Sequence, residues 1–171
     1  MKKIITTIFI SLTLGINAQV KDVFDIARNG TLKEMKLAFK KNPNSINELD
    51  KNRSSTLILA CYKGNTDVAK FLINKVKDLN YSSAMGTALM AAAYKNQLEF
   101  IKLLIDKKAN INGVDGNGTT ALMLAVQMKS LEVVRLLLEN KADKSIKNNE
   151  GKTAFEYAVF GGEQKIIDAL K

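Results

Sequence analysis

The chain has 171 residues, with 26 Lys and Arg against 17 Asp and Glu (formal net charge +9), no His and one Cys. Without His it lacks the commonest general base and the commonest transition-metal ligand, and a single Cys excludes an internal disulfide. The basic balance biases partners toward acidic proteins or anionic surfaces, although scattered lysines also serve plain solubility.

Residues 1–18 read as a secretory signal peptide: Lys2 and Lys3 are followed by an apolar run from Ile4 to Ile16, and Ala18 is a small residue suited to cleavage before Gln19. The run is short of the roughly 20 residues a membrane span needs. Removing Lys2 and Lys3 lowers the formal charge from +9 to +7 and leaves 153 residues, 19–171, expected to act in the periplasm or outside the cell. A chain of that size buries roughly two thirds of its unfolded surface, and one elongated domain is expected.

From residue 55 onward the sequence repeats itself. Ser55-Thr56-Leu57 returns as Thr87-Ala88-Leu89, Thr120-Ala121-Leu122 and Thr153-Ala154-Phe155, in steps of 32, 33 and 33 residues. A period near 33 marks a stacked repeat array. Two residues after each Ser or Thr stands Leu57, Leu89, Leu122 or Phe155; five after, Ala60, Ala92, Ala125 or Ala158; nine after, a break at Gly64, Asn96, Lys129 or Gly162. A second apolar stripe then follows at spacings of three and four (Val68, Phe71, Leu72; Phe100, Ile101, Leu104; Val133, Val134, Leu137; Ile166, Ile167, Leu170), which is a helix face. Each unit is thus predicted to be a short helix, a tight turn and a longer helix. The Ser or Thr suits an N-cap, and the Ala lets helices approach closely. Between units, Asn47-x-x-Asp50-x-x-Arg53-x-Ser55, Asn112-x-x-Asp115-x-x-Gly118-x-Thr120 and Ser145-x-x-Asn148-x-x-Gly151-x-Thr153 supply turn formers for hairpin-like fingers.

In these features the chain resembles ankyrin repeats, whose unit runs D-x-x-G-x-T-P-L-H-x-A-A-x-x-G and then an apolar helix ending L-L-x-x-G-A-D. Leu103-Leu104-x-x-Lys107-Lys108-Ala109-Asn110 and Leu136-Leu137-Leu138-Glu139-Asn140-Lys141-Ala142-Asp143 match its second half, and Val23–Gly30 fits the first helix of an initial unit. The resemblance implies an all-α repeat solenoid of about five helix-turn-helix units, at about 20–52, 53–84, 85–117, 118–150 and 151–171. Three departures stand out. The family Pro becomes Thr56, Ala88, Ala121 and Ala154; the His becomes Ile58, Met90, Met123 and Glu156; and the finger at Tyr81–Gly86 lacks its Asp and is one residue short. A less stable array than a consensus one is expected, with that finger the least regular. Both end units are expected to act as caps, the first through Glu34, Lys36, Lys40 and Lys41 on its second helix, because terminal units need polar outer faces.

Ankyrin arrays usually meet a protein partner on the concave side, at finger tips and at the outward edge of the first helices. By position, the resemblance assigns that role to Arg28, Tyr62, Tyr94, Gln127 and Phe160, to the next column with Lys63, Lys95 and Met128, and to the finger tips with Lys51, Asn52, Met85 and Asn117. Tyrosines dominate interface hot spots, so Tyr62 and Tyr94 are expected to anchor the partner while lysines draw its acidic rim. Cys61 shares a column with Ala93, Val126 and Val159 that is expected to face the interior, so it reads as a small buried hydrophobe. Asp115-Gly116-Asn117-Gly118 is a finger turn and no calcium loop: Thr120 stands where an EF-hand needs Gly and Val126 where it needs Glu. The Gly-rich stretch lacks phosphate-loop spacing. The reading is a non-enzymatic, cofactor-free, metal-free protein-binding scaffold or adaptor, with no small-molecule substrate and no membrane span after signal removal. A modulator or immunity-type inhibitor of an exported enzyme or toxin is one alternative and a polyanion binder another; nucleic acid is disfavoured because many lysines fall near second-helix ends, where the helix dipole favours them.

Overall fold

The computed structural model describes residues 21–171; the signal peptide read at 1–18 lies outside them. Ten α-helices form five hairpins: α1 (Val23–Asn29) with α2 (Leu32–Lys41), α3 (Thr56–Lys63) with α4 (Thr66–Ile73), α5 (Ala88–Tyr94) with α6 (Leu98–Asp106), α7 (Ala121–Gln127) with α8 (Leu131–Glu139), and α9 (Ala154–Gly161) with α10 (Gln164–Leu170). The described residues form only isolated β-bridges, all in fingers. The architecture is an all-α repeat solenoid.

Local chemistry sets each hairpin. The hydroxyls of Ser55, Thr87, Thr120 and Thr153 accept hydrogen bonds from the N–H groups of Ile58, Met90, Met123 and Glu156, satisfying a donor the helix leaves open. The expected breaks at Gly64, Asn96, Lys129 and Gly162 are single left-handed residues, with φ of 71°, 54°, 56° and 70°. Such a residue reverses the chain, and only Gly adopts it without cost.

The hairpins then stack. Ala60, Ala92, Ala125 and Ala158 are buried, so α1, α3, α5, α7 and α9 pack directly on one another. The second helices approach their neighbours less closely. A stack tight on one side and loose on the other curves, with the first helices on the inside.

Fingers and asparagines tie unit to unit. Asp50 Oδ1 accepts from the N–H groups of Asn52 and Ser54, and Asp115 Oδ1 from those of Asn117 and Thr119. The third finger is the irregular one: its bridge closes between Ser83 and Gly86, and the Ser83 hydroxyl accepts from Met85 N–H where Asp50, Asp115 or Asn148 serves elsewhere. A ladder not foreseen from sequence runs behind the fingers. Asn47, Asn80 and Asn112 each accept, through Oδ1, from a backbone N–H one unit on: Lys77, Asn110 and Asp143, at 2.8, 2.7 and 2.8 Å.

Two expectations need correction, both in the last unit. Val159 is 53% exposed although Cys61, Ala93 and Val126 in its column are buried. The column faces the next unit rather than a shared interior, so in the fifth unit it meets water. For the same reason the outer face of that unit is apolar rather than capped with polar groups: Phe155 is 37% exposed and Phe160 94%.

Candidate protein-binding face

The inner curve carries the first helices' outward edge; Tyr62 is the last residue but one of α3, and Tyr94 ends α5. One unit apart, their rings stack with centroids 5.9 Å apart and planes 10° from parallel. Lys95 Nζ lies 4.7 Å from the Tyr62 centroid and 5.6 Å from that of Tyr94, a cation held over two π faces. The aromatic column is therefore one pre-ordered platform.

Beside the platform lies an open hollow of about 360 Å³, lined by Tyr62, Tyr94, Met85, Met90, Ala91, Asn117 and Leu124 among others. Sequence explains its position. Four residues after the cap, the other units carry Leu59, Leu124 and Tyr157, but the third carries Ala91, which leaves room. The short third finger places Ala84 and Met85 at its edge, and Met85 is exposed there. The hollow is apolar with polar groups at one side, and its volume suits one or two large side chains of a partner.

The residues singled out from sequence fall into three groups. Tyr62, Tyr94, Lys95, Met85 and Asn117 converge on the hollow, with Lys63 exposed just beyond Tyr62. Arg28, Lys51 and Asn52 lie at the first finger, away from it. There Arg28 is engaged: Nη2 is 2.5 Å from Asp50 Oδ2 and Nη1 is 3.5 Å from Asp25 Oδ1, and the Asp50 side chain is almost wholly buried. Gln127, Met128 and Phe160 are exposed toward the other end. Met90, Ala91 and Leu124 line the site without having been singled out. The one signal for them was Ala91, the smallest residue in a column of larger ones.

Burial pushes the Cys61 thiol up to about 12, so it stays protonated and inert. Among the described residues no group of three or more His, Cys, Asp or Glu is placed to hold a metal ion, and no helix is long and apolar enough to cross a membrane.

A family model for ankyrin repeats matches the chain in three overlapping copies, at residues 23–115, 77–148 and 109–171. The chain belongs to the ankyrin repeat family. Among curated proteins, none matches it. Ankyrin repeats are protein–protein interaction scaffolds and typically carry no catalysis, which agrees with an array whose inner surface is an open hollow and a tyrosine platform.

Proposed function

We propose that this ankyrin array acts after export, as a scaffold that binds one protein partner on its inner curve. The observation that carries the reading is the Tyr62–Tyr94 stack beside the hollow. Two aromatic rings already ordered against each other lose little side-chain freedom on binding, which lowers the entropic cost of the contact. Lys95 above the rings and Lys63 beside them set a positive rim, and the partner presents an apolar side chain to the hollow with carboxylates flanking it. Export rests on the signal-like residues 1–18.

Affinity capture from the organism's own cell envelope tests the reading, with three baits compared by mass spectrometry. The natural chain is expected to retain a defined partner that is lost with the Tyr62→Ala, Tyr94→Ala double variant. Ala91→Leu, which fills the hollow and leaves both tyrosines in place, is expected to lose it too. A captured set identical for all three baits would reject the inner curve as the binding face.

A further inference from the structure

The three middle units show what the downstream face of a unit is built for. Two residues after the cap, Leu57, Leu89 and Leu122 are buried; six after, Cys61, Ala93 and Val126; fourteen after, Ala69, Ile101 and Val134. In each case the next hairpin covers them. The fifth unit keeps this apolar pattern as Phe155, Val159 and Ile167, and it adds Phe160 where the fourth has Gln127. None of these four is buried. The first unit differs: along α2, Lys33, Lys36, Lys40 and Lys41 are exposed around the single exposed Leu37. A bare apolar face at one end of an array otherwise finished with lysines calls for a cover.

We propose that this face, formed by α9 and the start of α10, pairs with the same face of a second copy about a two-fold axis. A sixth hairpin stacked like the others is a poor cover, because Glu156 stands in the column of Ile58, Met90 and Met123, which the stack buries beneath the finger side. Its Oε2 accepts only from the Thr153 N–H and hydroxyl, and burying a charged carboxylate with no cation paired to it is costly. A helix of a second copy crossing at Phe155 and Val159 leaves Glu156 at the edge, in water. Head-to-tail pairing is disfavoured as well: the outward hollow of the first unit is lined by Lys21, Glu34 and Lys41 around Phe24 and Leu37, with Lys21 and Glu34 ion-paired at 3.1 Å. Two apolar faces meeting bury no such charges, and the two-fold arrangement closes instead of growing into a filament.

The open apolar area supplies part of what a weak dimer buries. At the exposures given above, Phe155, Val159 and Phe160 leave roughly 350 Å² open per copy, hence roughly 700 Å² in a pair. That is more than half of the smallest specific interfaces, at about 1,200 Å² in total, and Ile167 with the surrounding polar rim adds to it. Gly161 and Gly162 help, since a Cβ at either would meet nothing within 4 Å, leaving room for a helix to approach the backbone.

Sedimentation equilibrium tests the pairing on the chain and on Phe160→Ser, which differ at one exposed side chain and share everything else. The chain is expected to show a monomer–dimer equilibrium in the micromolar range that added salt does not dissolve. Phe160→Ser is expected to weaken it by about tenfold or more, and Leu37→Ser at the far end to leave it unchanged. Methyl NMR on dilution gives a second readout, with shifts expected at Val159 and Ile167 and none at Val23 or Leu37. A chain monomeric at several hundred micromolar overturns the proposal. So does a dimer indifferent to Phe160→Ser, or dilution shifts at the first unit.

Discussion

The first and fifth hairpins each turn one face away from the rest of the array, and they finish it by different chemistry. At the first, charge does the work: the lysines of α2 face solvent, Lys21 pairs with Glu34, and Arg28 links α1 to the first finger through buried Asp50. At the fifth, the same positions that elsewhere fill the stack stay apolar and half open. The lesson is that a residue's column in a repeat does not fix its environment; the neighbour that covers the column does. Leu122 and Phe155 hold equivalent positions, yet one is core and the other is surface.

Truncating that pair is the strongest way to break this contrast. Leu122→Ala is expected to cost about 3 kcal/mol in urea unfolding, the usual price of a core cavity. Phe155→Ala is expected to cost about 1 kcal/mol, because over a third of the side chain already touches water. Equal losses would mean that the fifth unit packs as tightly as the inner ones. Arg28→Ala comes next, at about 2 kcal/mol, since it strands the buried Asp50 carboxylate without its ionic partner. The loss is expected to persist in high salt, because a buried pair is poorly screened.

Smaller effects sharpen the picture at the joints. Lys108 and Lys141, two residues beyond α6 and α8, lie in the left-handed region, at φ of 66° and 67°, where the family motif has Gly. Lys141→Gly, at the joint into the fifth unit, is expected to stabilise the array by about 0.5–1 kcal/mol. A loss instead would show that the Lys141 side chain contributes contacts that outweigh backbone strain.

The smallest expected effect is on pH. Glu34 is held below its usual value by the Thr31 N–H and by Lys21, and Glu156 by the Thr153 hydroxyl and N–H. Asp143 is lowered by hydrogen bonds from Ser145, and Asp168 by Lys171 and Gln164. A carboxyl that folding acidifies binds fewer protons in the folded chain than in the unfolded one. Its contribution is therefore present above the ordinary carboxylate value and is lost as pH falls through the folded one. Thermal unfolding followed downward from about pH 4.5 is expected to show a modest loss of stability, shallower in Glu34→Ala and Glu156→Ala. A profile unchanged from that of the natural chain in both variants would show that neither capping carboxylate is linked to folding.

Much of the hairpin was legible in residue order, because its causes are local. The caps at Ser55, Thr87, Thr120 and Thr153, the left-handed breaks nine residues on, and the weak third finger all depend on residues within one turn of one another. The candidate site was half legible. Tyr62 and Tyr94 were marked by sharing a column, but their stacking depends on the distance between units, and the hollow needs the absence of bulk at Ala91 to coincide with a short finger. The engagement of Arg28 by Asp50 joins residues 22 apart, and no periodicity announces it.

Sequence by itself determined the repeat, the helices and the family, since backbone capping and apolar spacing act over a few residues. Tertiary structure alone decided which copies of each column are covered: burial is settled by whatever lies alongside, so Val126 went inside and Val159 out. It decided also that two tyrosines 32 residues apart became one surface.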